Sequence, residues 1–180
     1  MILITTPTKD DTGGIQEVFY RTWLTAYPNE EAGVTINDIE EYLKGAFTPE
    51  TLAKRSAQFE HPPENSLLLI AKDGEKVVGV CNLFKREGYD QLQAIYILPE
   101  YQRQGIGIMF WKKAEEFFGM KKDIIVQVAT YNEQAIAFYK KLGFHDAGKR
   151  FTEERHRMKS GALIPEMEMI LPSSTNTPAP

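Results

Sequence analysis

Ile95-Tyr96-Ile97-Leu98-Pro99-Glu100-Tyr101-Gln102-Arg103-Gln104-Gly105-Ile106-Gly107 is the stretch on which the fold turns. Its first part is apolar and ends on proline, the pattern of a strand that stops. Its last part supplies two glycines and opens the segment Gly105 to Met120, where apolar residues at 106, 110, 114, 117 and 118 have the spacing of an amphipathic helix. Strand, glycine turn and helix start together make a seat for a diphosphate. The first N–H groups of a helix lack intrahelical partners and lie at the positive end of its dipole. Glycines let the backbone approach phosphate oxygens closely, and Arg103 can add a charge-assisted contact. A P-loop is disfavoured because no Gly-Lys-Ser/Thr follows. A dinucleotide fingerprint would need a third glycine where Phe110 stands. A glycine-assisted turn with no ligand stays open at this level.

Working outward, Tyr89 to Leu98 reads as a strand, and Lys76 to Phe84 and Ser66 to Ala71 as two more, joined by a turn with Asp73-Gly74 at its centre. Downstream, Ile124 to Ala129 is a short buried strand. Asn132 then caps a helix whose Ala135, Phe138, Tyr139 and Leu142 share a face and which ends at Gly143. Phe144 to Phe151 and Ala162 to Leu171 read as two final strands. At the front, Ile2 to Thr6 is a strand and a helix carries Ile15, Val18, Phe19, Thr22 and Trp23. A second helix follows the capping pair Thr35 and Asp38, and a third starts at Thr48-Pro49-Glu50. From Leu92 the order is strand, helix, strand, helix, strand, which implies an α/β fold with parallel pairing around the first crossover in an otherwise hairpin-rich sheet.

The 180 residues suit a single domain, since domains cluster near ~100–150 residues. Residues 1–171 are read as that domain and 172–180 as a flexible C-terminal tail. With 42 % hydrophobic residues the chain can bury a continuous core, which excludes disorder for most of it. A net charge of −4 lacks the basic face of a nucleic-acid binder. No apolar run reaches the ~20 residues of a membrane span, and the start lacks a signal-peptide pattern, so no membrane partner and a cytoplasmic location are expected. A homodimer is left open. The single cysteine, Cys81, excludes an internal disulfide and reads as a small buried hydrophobe. His61, His145 and His156 show no metal-ligand spacing, so no metal is expected, and His61 reads as a surface residue.

Two segments carry a resemblance. Gln102, Gly105 and Gly107 match the Arg/Gln-x-x-Gly-x-Gly/Ala core of the acetyl-CoA signature of the GNAT superfamily. Asn132-Glu133-Gln134-Ala135-Ile136-Ala137-Phe138-Tyr139-Lys140-Lys141-Leu142-Gly143-Phe144 resembles the family's Asn-x-x-Ala-x-x-Phe-Tyr-x-x-x-Gly-Phe. The likeness spans roughly residues 66–150, with the first 60 more weakly matched. It implies a central, mostly antiparallel, twisted sheet of six to seven strands flanked by helices, with a splayed parallel pair at the coenzyme site.

The resemblance also implies an N-acetyltransferase in which an amine attacks the thioester of acetyl-CoA, a tetrahedral oxyanion forms and the thiolate leaves. Gln102, Arg103, Gln104, Gly105, Ile106 and Gly107 would hold the coenzyme's phosphates, and Ile95 and Ile97 its pantetheine arm through main-chain bonds. The Ile97 N–H would receive the oxyanion. Tyr139 would protonate the leaving thiolate, and Asn132 would bond the coenzyme besides capping its helix; core packing and capping alone are the plainer readings of the same residues.

A lysine-like amine of pKa about 10.4 is neutral at only ~0.04 % at pH 7, so a base is wanted. Many relatives carry a glutamate on the strand before the cradle. This chain has Leu92-Gln93-Ala94 there, leaving Tyr96 or an ordered water. Trp23, Tyr27, Glu30 and Glu31 are candidate acceptor contacts, with Glu153, Glu154 and His156 from the far end; a solvated acidic loop with core aromatics is the alternative. The layout of Arg21-Thr22-Trp23 and the segments around Tyr42 and Phe47 is similar to bacterial spermine/spermidine acetyltransferases. Polyamines are therefore the leading acceptors, ahead of protein N-terminal or lysine amines, and a non-catalytic acetyl-CoA sensor is the remaining alternative.

Overall fold

The computed structural model describes residues 1–60 and 62–173, without the Glu60 side chain. His61 and positions 174–180, most of the expected tail, lie outside the described residues. Seven strands form one sheet: β1 (Ile2–Thr5), β2 (Ser66–Asp73), β3 (Lys76–Lys85), β4 (Asp90–Ile97), β5 (Ile124–Ala129), β6 (His145–Thr152) and β7 (Pro165–Leu171). The helices are α1 (Thr12–Ala26), α2 (Ile36–Leu43), α3 (Pro49–Glu60), α4 (Ile106–Phe118) and α5 (Glu133–Lys141).

Local chemistry sets several boundaries as the sequence predicts. Thr35 Oγ1 accepts from the Asp38 N–H at 3.1 Å while Asp38 Oδ2 accepts from the Thr35 N–H at 3.0 Å, a closed capping box at the head of α2. Pro49 opens α3. The β2–β3 turn differs by one position from expectation. Asp73 still pairs with Lys76, so the loop is Gly74-Glu75, with Gly74 at φ +59. The last strand begins at Pro165, not Ala162, because residues 153–164 instead make a short 3-10 turn and a loop beneath α2.

The sheet order is β1-β2-β3-β4-β5-β7-β6, antiparallel everywhere except between β4 and β5. Those two strands are joined through α4, which allows the parallel sense. Their pairing lasts only from Asp90↔Ile124 to Leu92↔Val126. The cause lies on the other edge of β4: Leu83 faces Leu92, but Asn82 faces Ala94, so Gln93 is an extra residue, a β-bulge. The bulge swings the rest of β4 away from β5 and opens a wedge in the middle of the sheet.

A large core packs Ile15 and Val18 of α1 and Ile106, Phe110 and Ala114 of α4 with sheet residues such as Val80, Leu83, Leu92, Val126 and Met169. Cys81 is fully buried in it, as expected. A smaller cluster of Val34, Ile39, Ala129, Met158 and Ile164 fastens α2 and the 153–164 loop to the end of β5. Ser173, assigned to the tail on sequence, is buried and donates its N–H to Asp123 Oδ1 at 2.8 Å. Among the described residues no helix is long and apolar enough to cross a membrane.

Candidate active site

The glycine turn after β4 is a braced, strained loop. Arg103, at φ +59, and Gly105, at φ +85, both occupy the left-handed region, which is costly for a residue with a side chain. Gln102 fixes the loop at two points, donating from Nε2 to Ile97 O at 3.0 Å and accepting from Gln134 Nε2 of α5 at 2.8 Å. Gln104 Nε2 donates to Glu100 O at 2.9 Å. Glu100 in turn takes both terminal nitrogens of Arg21 at 2.8 and 3.0 Å, and that guanidinium holds its carboxyl down at about 2. The first bond closing α4 is Met109 N–H to Gly105 O. The amides of Ile106, Gly107 and Ile108 therefore have no acceptor within the helix. Nothing lies within 4 Å of where a Gly105 Cβ would be. These residues fit a diphosphate. The amides and the exposed Arg103 would hold it, whereas the Gln102 and Gln104 side chains brace the loop from behind.

In the wedge, Leu98 N–H bonds Val78 O on β3 at 2.9 Å. Amides alternate in direction along a strand, so those of Ile97 and Ile95 point the other way, toward the edge that β5 has left. Across the wedge stands α5, whose Asn132 cap accepts from the Ala135 N–H at 3.1 Å. Tyr139 is 5 % exposed among Phe138 and Phe144. Burial, with Tyr96 and Cys81 nearby, pushes its phenol well up, so it stays protonated.

On the acceptor side a cavity of about 150 Å³ is lined by Trp23 and Tyr27 of α1, Gln93 and Tyr96 of β4, Gln127 of β5, His156 and Glu166, among others. Trp23 stacks on Tyr42 at 5.4 Å and meets Tyr27 at 4.6 Å and His156 at 5.8 Å. The Tyr27 and Tyr96 hydroxyls are 2.9 Å apart. Burial raises both phenols, which corrects Tyr96 as a candidate base: a base must first be a phenolate, and burial opposes that charge. Two further expectations need correction. Glu30 and Glu31 are exposed and line no part of this cavity, because Asn29 and Val34 bond each other at 2.8 and 3.0 Å and hold them at the tip of a tight turn. Glu154 is exposed and bound to Arg157.

The acid that does line the cavity is Glu166, on β7 opposite Ala129, and only 8 % exposed. Sequence reasoning passed over it, although the alternation Glu166-Met167-Glu168-Met169 marks two acids on one face of a buried strand. Lys149 neutralises Glu168 at 3.0 Å. Glu166 has no lysine or arginine partner among the described residues.

The aromatic cavity lies beside the splayed strand pair, and β4 of that pair runs on into the glycine turn. The model of the GNAT family of acetyltransferases matches residues 35–144. The chain belongs to the GNAT family. It is therefore an acetyl-CoA-dependent N-acetyltransferase of mixed α/β fold. It is 28 % identical over 140 residues to the uncharacterized N-acetyltransferase YjcF of Bacillus subtilis, covering 73 % of this chain and 93 % of that one. It is also 28 % identical over 110 residues to the peptidyl-lysine N-acetyltransferase YjaB of Salmonella typhimurium, covering 61 % of this chain and 68 % of that one. The crystal structure of the spermidine N-acetyltransferase from Vibrio cholerae with CoA and spermine superposes with a TM-score of 0.69 at 16 % identity, covering 96 % of both chains. That last likeness is one of fold.

Proposed function

We propose that the acceptor is a small primary amine, with polyamines the leading class. The observation that carries this is the cavity at the wedge: aromatic walls from Trp23, Tyr27 and Tyr96 enclose a carboxylate, Glu166, that pairs with no lysine or arginine among the described residues. A buried carboxylate is costly without a cation, and aromatic faces attract one, so an alkylammonium ion suits both features. The Vibrio spermidine enzyme shares the fold, which is consistent with a polyamine here.

In this reading the coenzyme supplies an acetyl thioester, and the chain's residues do the rest. The Ile95 and Ile97 amides hold the donor's arm, and the Ile97 N–H receives the negative charge that grows on the carbonyl oxygen. Tyr139 gives its proton to the departing sulfur. Asn132 fixes the start of α5 and hence the reach of Tyr139 into the wedge. Trp23 and Tyr27 orient the amine.

The test is release of free coenzyme A from acetyl-CoA in the presence of spermidine, spermine, n-butylamine, phenethylamine and a lysine-containing peptide. Turnover with the small amines is expected. Turnover with the peptide alone moves the acceptor to protein lysine, and thermal stabilisation by acetyl-CoA without any turnover makes the chain a coenzyme sensor.

A further inference from the structure

Glu166 Oε2 and His156 Nδ1 are both buried without a hydrogen-bond partner, 3.8 Å from each other, and both residues line the acceptor cavity. Native chains rarely leave two such atoms unsatisfied side by side, and where they do the site has a use. We propose that Glu166 is the general base of the reaction, entering from β7 in place of the acid that β4 lacks at Gln93, and that His156 is its positioning residue. This deepens the proposal of an amine acceptor and rests on it.

The bulge makes the exchange intelligible. Gln93, on the bulge, and Gln127, across the wedge, are neutral amides that cannot accept a proton at neutral pH. Glu166 sits one strand further on, where β7 pairs Glu166 with Ala129, the last residue of β5. In the step, the bound R–NH3+ gives one proton to the Glu166 carboxylate. The freed lone pair forms the C–N bond to the acetyl carbon and the C–S bond breaks. The nitrogen sheds its second excess proton to solvent, and the sulfur leaves as thiol with the proton supplied at Tyr139. The His156 imidazole faces Glu166 across 3.8 Å, and the Trp23 ring packs edge-on against that imidazole.

Other groups face Glu166. Tyr27 of α1, Tyr96 of β4 and Tyr131 after β5 all have phenols raised by burial, Tyr131 to about 12, so none titrates below pH 10. Arg155 lines the cavity with a fixed positive charge and pairs with Glu153. Glu153 carries the other carboxylate of the cluster, within 4.8 Å of His156 and Glu166.

The experiment is the pH profile of kcat/KM for wild type, Glu166→Gln and His156→Gln, on whichever amine of the panel turns over fastest. With a base in place, kcat/KM reaches a plateau, because enzyme and ammonium ion already hold the reactive pair. Without it, only free amine reacts, and log kcat/KM climbs with unit slope toward the amine's own pKa. Glu166→Gln is expected to lose the plateau, to fall about 100-fold at pH 7 and to recover most of that deficit near the pKa of the amine. His156→Gln is expected to keep the plateau at a reduced height. A plateau kept by Glu166→Gln overturns the assignment, as does a plateau lost only in His156→Gln, which would make the imidazole the base. Loss of wild-type turnover on dialysis against a chelator overturns it too, since the carboxylate would then be ligating a cation with Glu153 and His156. If the wild type acetylates no amine of the panel, the amine-acceptor reading falls and the base with it.

Discussion

A Cβ added to Gly107 would lie 3.0 Å from two ring carbons of Phe138. The first turn of α4, whose amides would seat the coenzyme, is thus pressed against the aromatic ring that precedes Tyr139 on α5. The glycine is needed here for closeness. Gly107→Ala should destabilise the fold by about 1–3 kcal/mol through overpacking. Phe138→Leu in the same chain should return part of that loss, because the smaller side chain vacates the site of the clash. Urea unfolding of the two single variants and the double variant checks both signs, and simple additivity of the two losses would show that the contact is not shared.

Burial raises the phenol of Tyr139, which holds it in the protonated form that the proposed acid must start from. Tyr139→Phe should lower kcat roughly 100-fold while leaving acetyl-CoA affinity within about twofold. Because the raised phenol stays protonated through the assay range, Tyr139 should add no falling limb to the rate profile below pH 10. Equal kcat in the variant, with calorimetric affinity unchanged, removes Tyr139 as the acid.

The parts of this site that sequence reveals are those made by neighbours in the chain. Gly105, Gly107 and the Asn132 cap act within a few residues of where they stand, and their spacing carries the information. Glu166 depends on β7 inserting between β5 and β6, and on a pairing with Ala129, far back along the sequence, so nothing local marks it. The same holds for the wedge, which arises from one extra residue, Gln93, counted against β3. Glu30 and Glu31 show the converse error. They are near Trp23 and Tyr27 in sequence, but the Asn29–Val34 turn carries them outward.

Cys81 lies wholly inside the core on β3, and burial pushes its thiol far above the usual range. Reaction with a thiol reagent needs the thiolate and access to it, and the folded chain gives neither. The native protein should show no titratable thiol over the course of a turnover assay and one after unfolding in guanidinium. Disulfide reagents can then follow coenzyme A release directly. A native thiol reacting within seconds would mean that β3 opens on that timescale.

Asp38 joins the head of α2 to the loop that carries His156. Its Oδ2 accepts from the Thr35 N–H and hydroxyl, and its Oδ1 from the Ser160 N–H at 3.3 Å. The Thr35 bonds, chiefly, lower its carboxyl from 3.8 to about 2. A carboxyl depressed in the folded state contributes stability that is complete above its unfolded value and is lost as pH falls through its folded value. The window here runs from 3.8 down to about 2. Asp38→Asn keeps the shape and removes the charge, so its urea midpoint should lie below wild type by a constant amount from pH 7 to pH 5. That gap should close as pH drops through the window, because the wild-type side chain becomes neutral as well. A gap that persists unchanged below pH 2 would assign the effect to lost hydrogen-bond geometry and not to the charge.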